Sequence, residues 1–174
     1  EASWLERLAQ HDADVLHDRA AAAASFKRAA RIVEESGADE ERARKLYERA
    51  LAVAQDDREA AAKLAGMYER TTDQWNSLPA VHEVLIRTAP TQEDAVAALI
   101  AFEPAAVKAR ASGAFSSAVA TVGKRHGPLS ADLWKQVQGA LARVLAADVE
   151  RQDEAASVFR AMVESAAPES KRER

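Results

Sequence analysis

The sequence predicts an all-α chain built from antiparallel helix hairpins, and three observations carry that reading. Hydrophobic residues make up 48% of the 174 positions, and Ala dominates them, which supplies helix propensity with little core volume. Only 6 Gly and 5 Pro interrupt the chain, and no segment alternates apolar with polar residues as a half-buried strand would. The breaks fall at even intervals, at Gly37-Ala38-Asp39, Thr72-Asp73, Ser112-Gly113 and Glu150 to Asp153. Each reads as the turn of a hairpin.

In chain order, Ala2 to Gln10 reads as a helix with Trp4, Leu5 and Leu8 on one face, so residues 1–10 are the tail of a preceding helix. The first hairpin, residues 12–55, pairs a long helix from about Asp14 to Ser36 with Glu40 to Gln55, setting Phe26, Ala29, Ala30 and Val33 against Leu46, Tyr47 and Leu51. The second, residues 58–88, pairs Arg58 to Thr71 with Gln74 to Thr88, where Trp75, Leu78, Val81, Val84 and Leu85 recur at helical spacing. Asp57, Thr91 and Ser130 are the N-caps that open new hairpins. The third hairpin, residues 91–126, sets Phe102, Ala105, Ala106 and Ala109 against the helix Gly113 to Val122. Pro104 lies inside its first helix at a cost of about 3 kcal/mol, which predicts a kink or break near Glu103. The fourth, residues 130–166, pairs Ser130 to Val149 with Asp153 to Ala166 through Trp134, Val137, Leu141, Val144, Val158, Phe159 and Met162. Residues 1–167 thus read as one repeat domain, and the charged stretch 168–174 as a disordered tail.

Small and aromatic residues recur in the first two hairpins with a particular phase. Ala43, Tyr47 and Ala50 fall at the spacing of the second helix of one repeat; Ala61, Leu64-Ala65 and Tyr68 fall at that of the first helix of the next. On these residues the segment ARKLYERALAVAQDDREAAAKLAGMYERTTDQW resembles a tetratricopeptide (TPR) array. Ala61 stands where the family typically has Trp, Ala65 where it has Gly, and Gln55 where a closing Pro is usual. The resemblance implies a TPR-like right-handed superhelical solenoid whose first helices line a concave face that holds a partner protein or peptide. It places on that face Lys27, Arg31 and Glu34, then Ala62, Gly66, Glu69 and Arg70, then Arg110, then Lys135 and Arg143, with Glu35, Glu59, Glu103, Val107, Asp132 and Gly139 among them. The charges balance, so the sign of the ligand stays open. The clamp by which some members hold a chaperone's terminal carboxylate is incomplete, because Arg31 follows Lys27 where Asn is expected and Lys63 stands near the second Asn position.

No constellation for chemistry emerges. His11, His17, His82 and His126 form no i, i+3 or i, i+4 pair and read as exposed helix-end histidines. Acidic runs such as Glu34-Glu35, Asp39-Glu40-Glu41 and Asp56-Asp57 lie at helix ends, where the helix dipole accounts for many of them. With no Gly-rich phosphate loop, Ser elbow or Cys nucleophile, the chain reads as neither an enzyme nor a cofactor or metal binder. A net charge of -4 disfavours a nucleic-acid partner, and no apolar run approaches the roughly 20 residues of a membrane span. Without Cys the redox compartment is unreadable; a cytoplasmic setting is favoured over a secreted one. The start at Glu1 within a helix, and an Ala- and Arg-rich composition, read as part of a larger bacterial protein.

The function expected is therefore a protein-interaction or scaffold module. The alternatives are an oligomerisation module stacking through array ends such as Trp4, Leu5 and Leu8 or Val158 and Met162, and a regulatory domain of an attached enzyme or transcription factor.

Overall fold

The structure, a computed structural model, describes residues 1–14, 16–37 and 39–166, of which 72, 73 and 163–166 by backbone alone. The tail expected over 168–174 lies outside the described residues, as does Ala38 of the first predicted turn. Among the described residues there is no strand, and nine α-helices follow one another: α1 (Ala2–Asp14), α2 (Arg19–Ser36), α3 (Glu40–Val53), α4 (Arg58–Arg70), α5 (Leu78–Arg87), α6 (Gln92–Lys108), α7 (Ser112–His126), α8 (Ala131–Ala146) and α9 (Gln152–Ala166). Two compact units divide the chain, Glu1–Thr88 and Ala89–Arg174.

In the first unit α2 packs along both α1 and α3, α3 meets α4, and α4 pairs with α5. Local chemistry sets the boundaries. Asp18, Asp39 and Asp57 each accept a hydrogen bond from the backbone N–H three residues on, at 2.9, 2.8 and 2.9 Å, satisfying donors that a helix start leaves unpaired. Gly37 closes α2 in the left-handed conformation at φ 63°, its N–H bonded to the Glu34 carbonyl. The buried face of the hairpins is strongly Ala-based: Ala22, Ala23, Ala29, Ala30, Ala43, Ala50, Ala60 and Ala61 are all buried, which lets backbones approach while Phe26, Leu46, Tyr47, Leu64 and Tyr68 fill what remains.

Two expectations about this unit need correction. The helix expected from Asp14 starts only at Arg19, because α1 runs on to Asp14 and the chain then turns through His17 at φ 53° before the Asp18 cap. The helix expected from Gln74 starts at Leu78, preceded by a 3-10 segment over Thr72–Ser77. Pro79 in the first turn of α5 suits that start, since its missing N–H would have had no helical partner there.

In the second unit α6 packs on both α7 and α8, and α8 on α9. Phe102 of α6 and Phe115 of α7 hold their ring centroids 5.5 Å apart within a core that includes Val96, Leu99, Val122, Val137, Val144 and Leu145. The Thr91 and Ser130 caps form as expected, accepting from the Asp94 and Leu133 N–H groups. The break expected near Glu103 does not occur, for α6 is helical from Gln92 to Lys108 with Pro104 inside it. Pro104 is exposed, so its ring meets solvent rather than a neighbouring helix, and water can serve the Ile100 carbonyl that it leaves without a helical partner. Trp134 and Phe159, expected in the core, are 44% and 43% exposed.

Candidate functional site

Ten residues were expected on one binding face, and the structure brings seven of them together in the first unit. On α2, Lys27, Arg31 and Glu34 recur at i, i+4 and i+7 along the flank that faces α4. On α4, Glu59, Lys63, Gly66 and Arg70 recur at the same rhythm, with Ala62 and Glu69 beside them on the exposed side.

The charges meet across the seam. The Lys27 ammonium lies 2.8 Å from Asp57 and 2.9 Å from Glu59, and Arg31 pairs with Glu59. One turn further on the sign reverses, and Lys63 of α4 donates to Glu34 of α2 at 2.9 Å. At the far end Arg70 reaches Glu40, at the start of α3, at 2.6 Å. Beside that last pair is a cavity of about 280 Å³ lined by Val33, Glu34, Gly37, Glu40, Met67 and Arg70.

The protonation states follow from this pairing. Burial works against the Lys27 charge, yet hydrogen bonds to Asp57 and Glu59 hold its ammonium above the ordinary value. Burial also opposes ionisation of Glu34, but Lys63 and the Tyr47 hydroxyl hold it below the usual carboxylate range. Hydrogen bonds from Lys27 and then Arg31 do the same for Glu59. The two motif tyrosines support this frame. Tyr47 donates to Glu34 at 2.8 Å and Tyr68 to Glu48 at 2.8 Å; burial, and then the accepting carboxylate, push the Tyr68 phenol up to about 12 and the Tyr47 phenol up as well.

The remaining three expected residues lie in the second unit. Arg143 of α8 makes a forked contact to Glu103 of α6 at 2.5 and 2.7 Å, linking alternate helices as the α2–α4 pairs do. Arg110 follows α6 in the left-handed region at φ 51° and lines a cavity of about 410 Å³ with Val107, Ser112, Val144 and Asp148. Lys135 is exposed on α8. Lys27, Arg31, Arg70 and Arg143 are thus each engaged by a carboxylate of another helix.

Two residues fall outside what sequence reasoning assigned. His82 is not an exposed helix-end histidine, since it is 2% exposed in the middle of α5. Its Nε2 lies 3.8 Å from Glu69, and burial pushes its pKa down to about 4. Arg49, on the second helix of the first hairpin, stacks its guanidinium 4.4 Å from the centre of the Phe26 ring and donates to Gln10. Among the described residues, no three His, Asp or Glu side chains converge as metal ligands, and no helix is long and apolar enough to cross a membrane. The chain matches no protein-family model, no curated protein and no solved structure.

Proposed function

We propose that the protein is an interaction module of TPR-like helix hairpins, and that in the first unit the α2–α4 face takes a partner protein or peptide. The observation that carries this reading is the link between alternate helices: α2 pairs with α4, and α6 with α8, through ion pairs along one flank. Alternate helices side by side are what a hairpin repeat requires, and they present one face two helices wide. Lys27, Asp57 and Glu34 are partly buried, whereas Arg31, Lys63, Arg70 and Glu40 are exposed, and ion pairs made by exposed groups are weak enough for an incoming peptide to exchange. Gly66 leaves open space in the middle of that face, where an added Cβ would meet only the Arg70 guanidinium at 4.0 Å. No catalytic role is proposed for any residue.

The test starts with a binder isolated on the immobilised chain. Arg31→Ala and Arg70→Ala should each weaken it by about 1 to 2 kcal/mol, the range of an engaged interface arginine. Lys45→Ala, an exposed α3 residue paired within its own helix to Glu41, is the control; Arg49 is unsuitable because its truncation would uncover Phe26. Weakening by the control alone would remove the α2–α4 face from the proposal. Self-association is the second reading, favoured by Trp4 at 58% exposure on α1; a sedimentation series that stays monomeric would dismiss it.

A further inference from the structure

In the second unit the turn after α6 and the turn after α8 enclose a cavity of about 410 Å³ whose walls include Val107, Arg110, Val144, Asp148, Val149 and Glu150. Its size falls within the range of small-ligand sites. We propose that this cavity binds a free aliphatic α-amino acid, with the ligand carboxylate on Arg110, its ammonium on Asp148 and Glu150, and its side chain against Val107, Val144 and Val149.

The lining charges call for a ligand of both signs. One cation and two carboxylates belong to the cavity wall itself. Among the described residues, neither the Arg110 guanidinium nor the Glu150 carboxylate makes an ion pair or a hydrogen bond. The Arg110 charge acts on Asp148, but the two do not close into an ion pair. A phosphate would meet two carboxylates here and a simple amine would meet an arginine, whereas a zwitterion leaves none of the three charges opposed. Both α6 and α8 end at this cavity, and the carbonyls of two helix C-termini favour the ammonium further.

The acceptor for that ammonium is held in place before any ligand arrives. Asp148 accepts from the hydroxyl of Ser112, a residue 6% exposed, and from the Glu150 N–H at 3.2 Å. These two donors, the hydroxyl first, hold its carboxyl below the ordinary carboxylate range. Each of its oxygens keeps a lone pair for a further hydrogen bond.

Arg110 is in turn an expensive residue for its position. It lies at φ 51°, whereas the residue that closes α2 in the same left-handed region is Gly37, at φ 63°. An arginine there costs about 1 kcal/mol relative to glycine, and no contact of its guanidinium among the described residues offsets that. A carboxylate bound in its fork would. The apolar wall is open as well: Ala106 and Val144 are buried, but Val107 and Val149 are 39% and 81% exposed, so a ligand side chain would withdraw apolar surface from water.

The test is isothermal titration of the full chain with leucine, isoleucine and valine. At least one should bind with a dissociation constant below about 1 mM. Of the leucine analogues, 3-methylbutylamine lacks the carboxylate and 4-methylpentanoate lacks the ammonium; both, and glycine, should bind at least about tenfold more weakly. Arg110→Gln and Glu150→Gln should each cost about tenfold or more, whereas Arg31→Ala on the α2–α4 face should change nothing. Arg110→Gly should lose binding equally while melting at a higher temperature, so that the loss cannot be laid to unfolding. No binding of any of the three amino acids would overturn the proposal, as would equal affinity of the Arg110 variants and the parent chain. Equal binding of 4-methylpentanoate and leucine would overturn it too, because the carboxylates of the wall would then take no part.

Discussion

His82 holds the clearest single-residue consequence. Leu78, His82 and Ile86 recur at i, i+4 and i+8 and are 1%, 2% and 1% exposed, so the histidine occupies a core position of α5. Burial favours its neutral form, and the Glu69 carboxylate 3.8 Å away does not offset this. The folded pKa of about 4 lies below the unfolded value of 6.5, so between these the unfolded chain binds more protons and stability falls as the pH is lowered. From about pH 7.5 to about pH 5 the loss should be roughly 2 kcal/mol, read from urea midpoints. His82→Leu should largely remove that slope; an unchanged slope would place the titrating group elsewhere. The apolar stripe was legible in the sequence, but a histidine on it was assigned to the surface by residue type rather than by position. Arg110 was placed on the concave face by the resemblance, whereas its backbone is the informative part. At φ 51° it occupies the left-handed position after α6, with the Ala111 N–H returning to the Ala106 carbonyl at 2.8 Å, a place that suits glycine. Arg110→Gly should therefore stabilise the fold by about 1 kcal/mol in denaturant melts.

At the scale of the element, caps were more legible than interruptions. Asp57, Thr91 and Ser130 could be read directly because a short acceptor before an apolar-periodic run has one common use. The gap between α1 and α2 carries no Gly or Pro, and its signal was Asp18 ahead of an Ala run. At Pro104 the local rule allowed a kink or a break, and of these the break does not occur, because tertiary packing keeps the helix: Phe102, Ala105 and Ala106 are buried on either side of it. The helix tolerates the proline at a cost, and Pro104→Ala should recover up to about 3 kcal/mol by restoring a hydrogen bond to the Ile100 carbonyl. No gain in the melting midpoint would mean that α6 had relaxed around the proline. Gly66 makes a parallel case in α4. Gly66→Ala should stabilise by about 0.5 to 1 kcal/mol, because the new methyl would meet nothing closer than the Arg70 guanidinium at 4.0 Å. The α2–α4 flank was only half legible. The resemblance put Lys27, Arg31, Glu34 and Arg70 on one face, but it could not show that Glu59, Lys63 and Glu40 would meet them.

For the molecule as a whole, the sequence read residues 1–167 as one run of hairpins, and the structure groups its helices into two compact units. The Ala89-Pro90-Thr91 stretch read as one of several equivalent boundaries, while the structure divides the chain at Thr88 and Ala89. That grouping depends on which helices pack beyond their nearest neighbours, and spacing within a helix does not report it. It changes where the chain can be cut. Ending the chain near 128 would take α8 from α6 and leave Glu103 without Arg143, so that the second unit would lose a wall of its core. Ending it after Thr88 keeps the buried cluster of Phe26, Leu46, Tyr47, Leu64 and Tyr68 with the helices that enclose it, and every ion pair of the α2–α4 face. A fragment of residues 1–88 should therefore fold alone, with helical circular dichroism and a cooperative thermal transition, although a domain of this size buries only about 60 to 65% of its unfolded surface and is marginal for that reason. Leu64→Ala in the fragment should cost about 2 to 5 kcal/mol, as for a fully enclosed leucine, enough to abolish the transition in so small a unit. A fragment 1–88 without any cooperative transition would mean that the first unit borrows its stability from the rest of the chain.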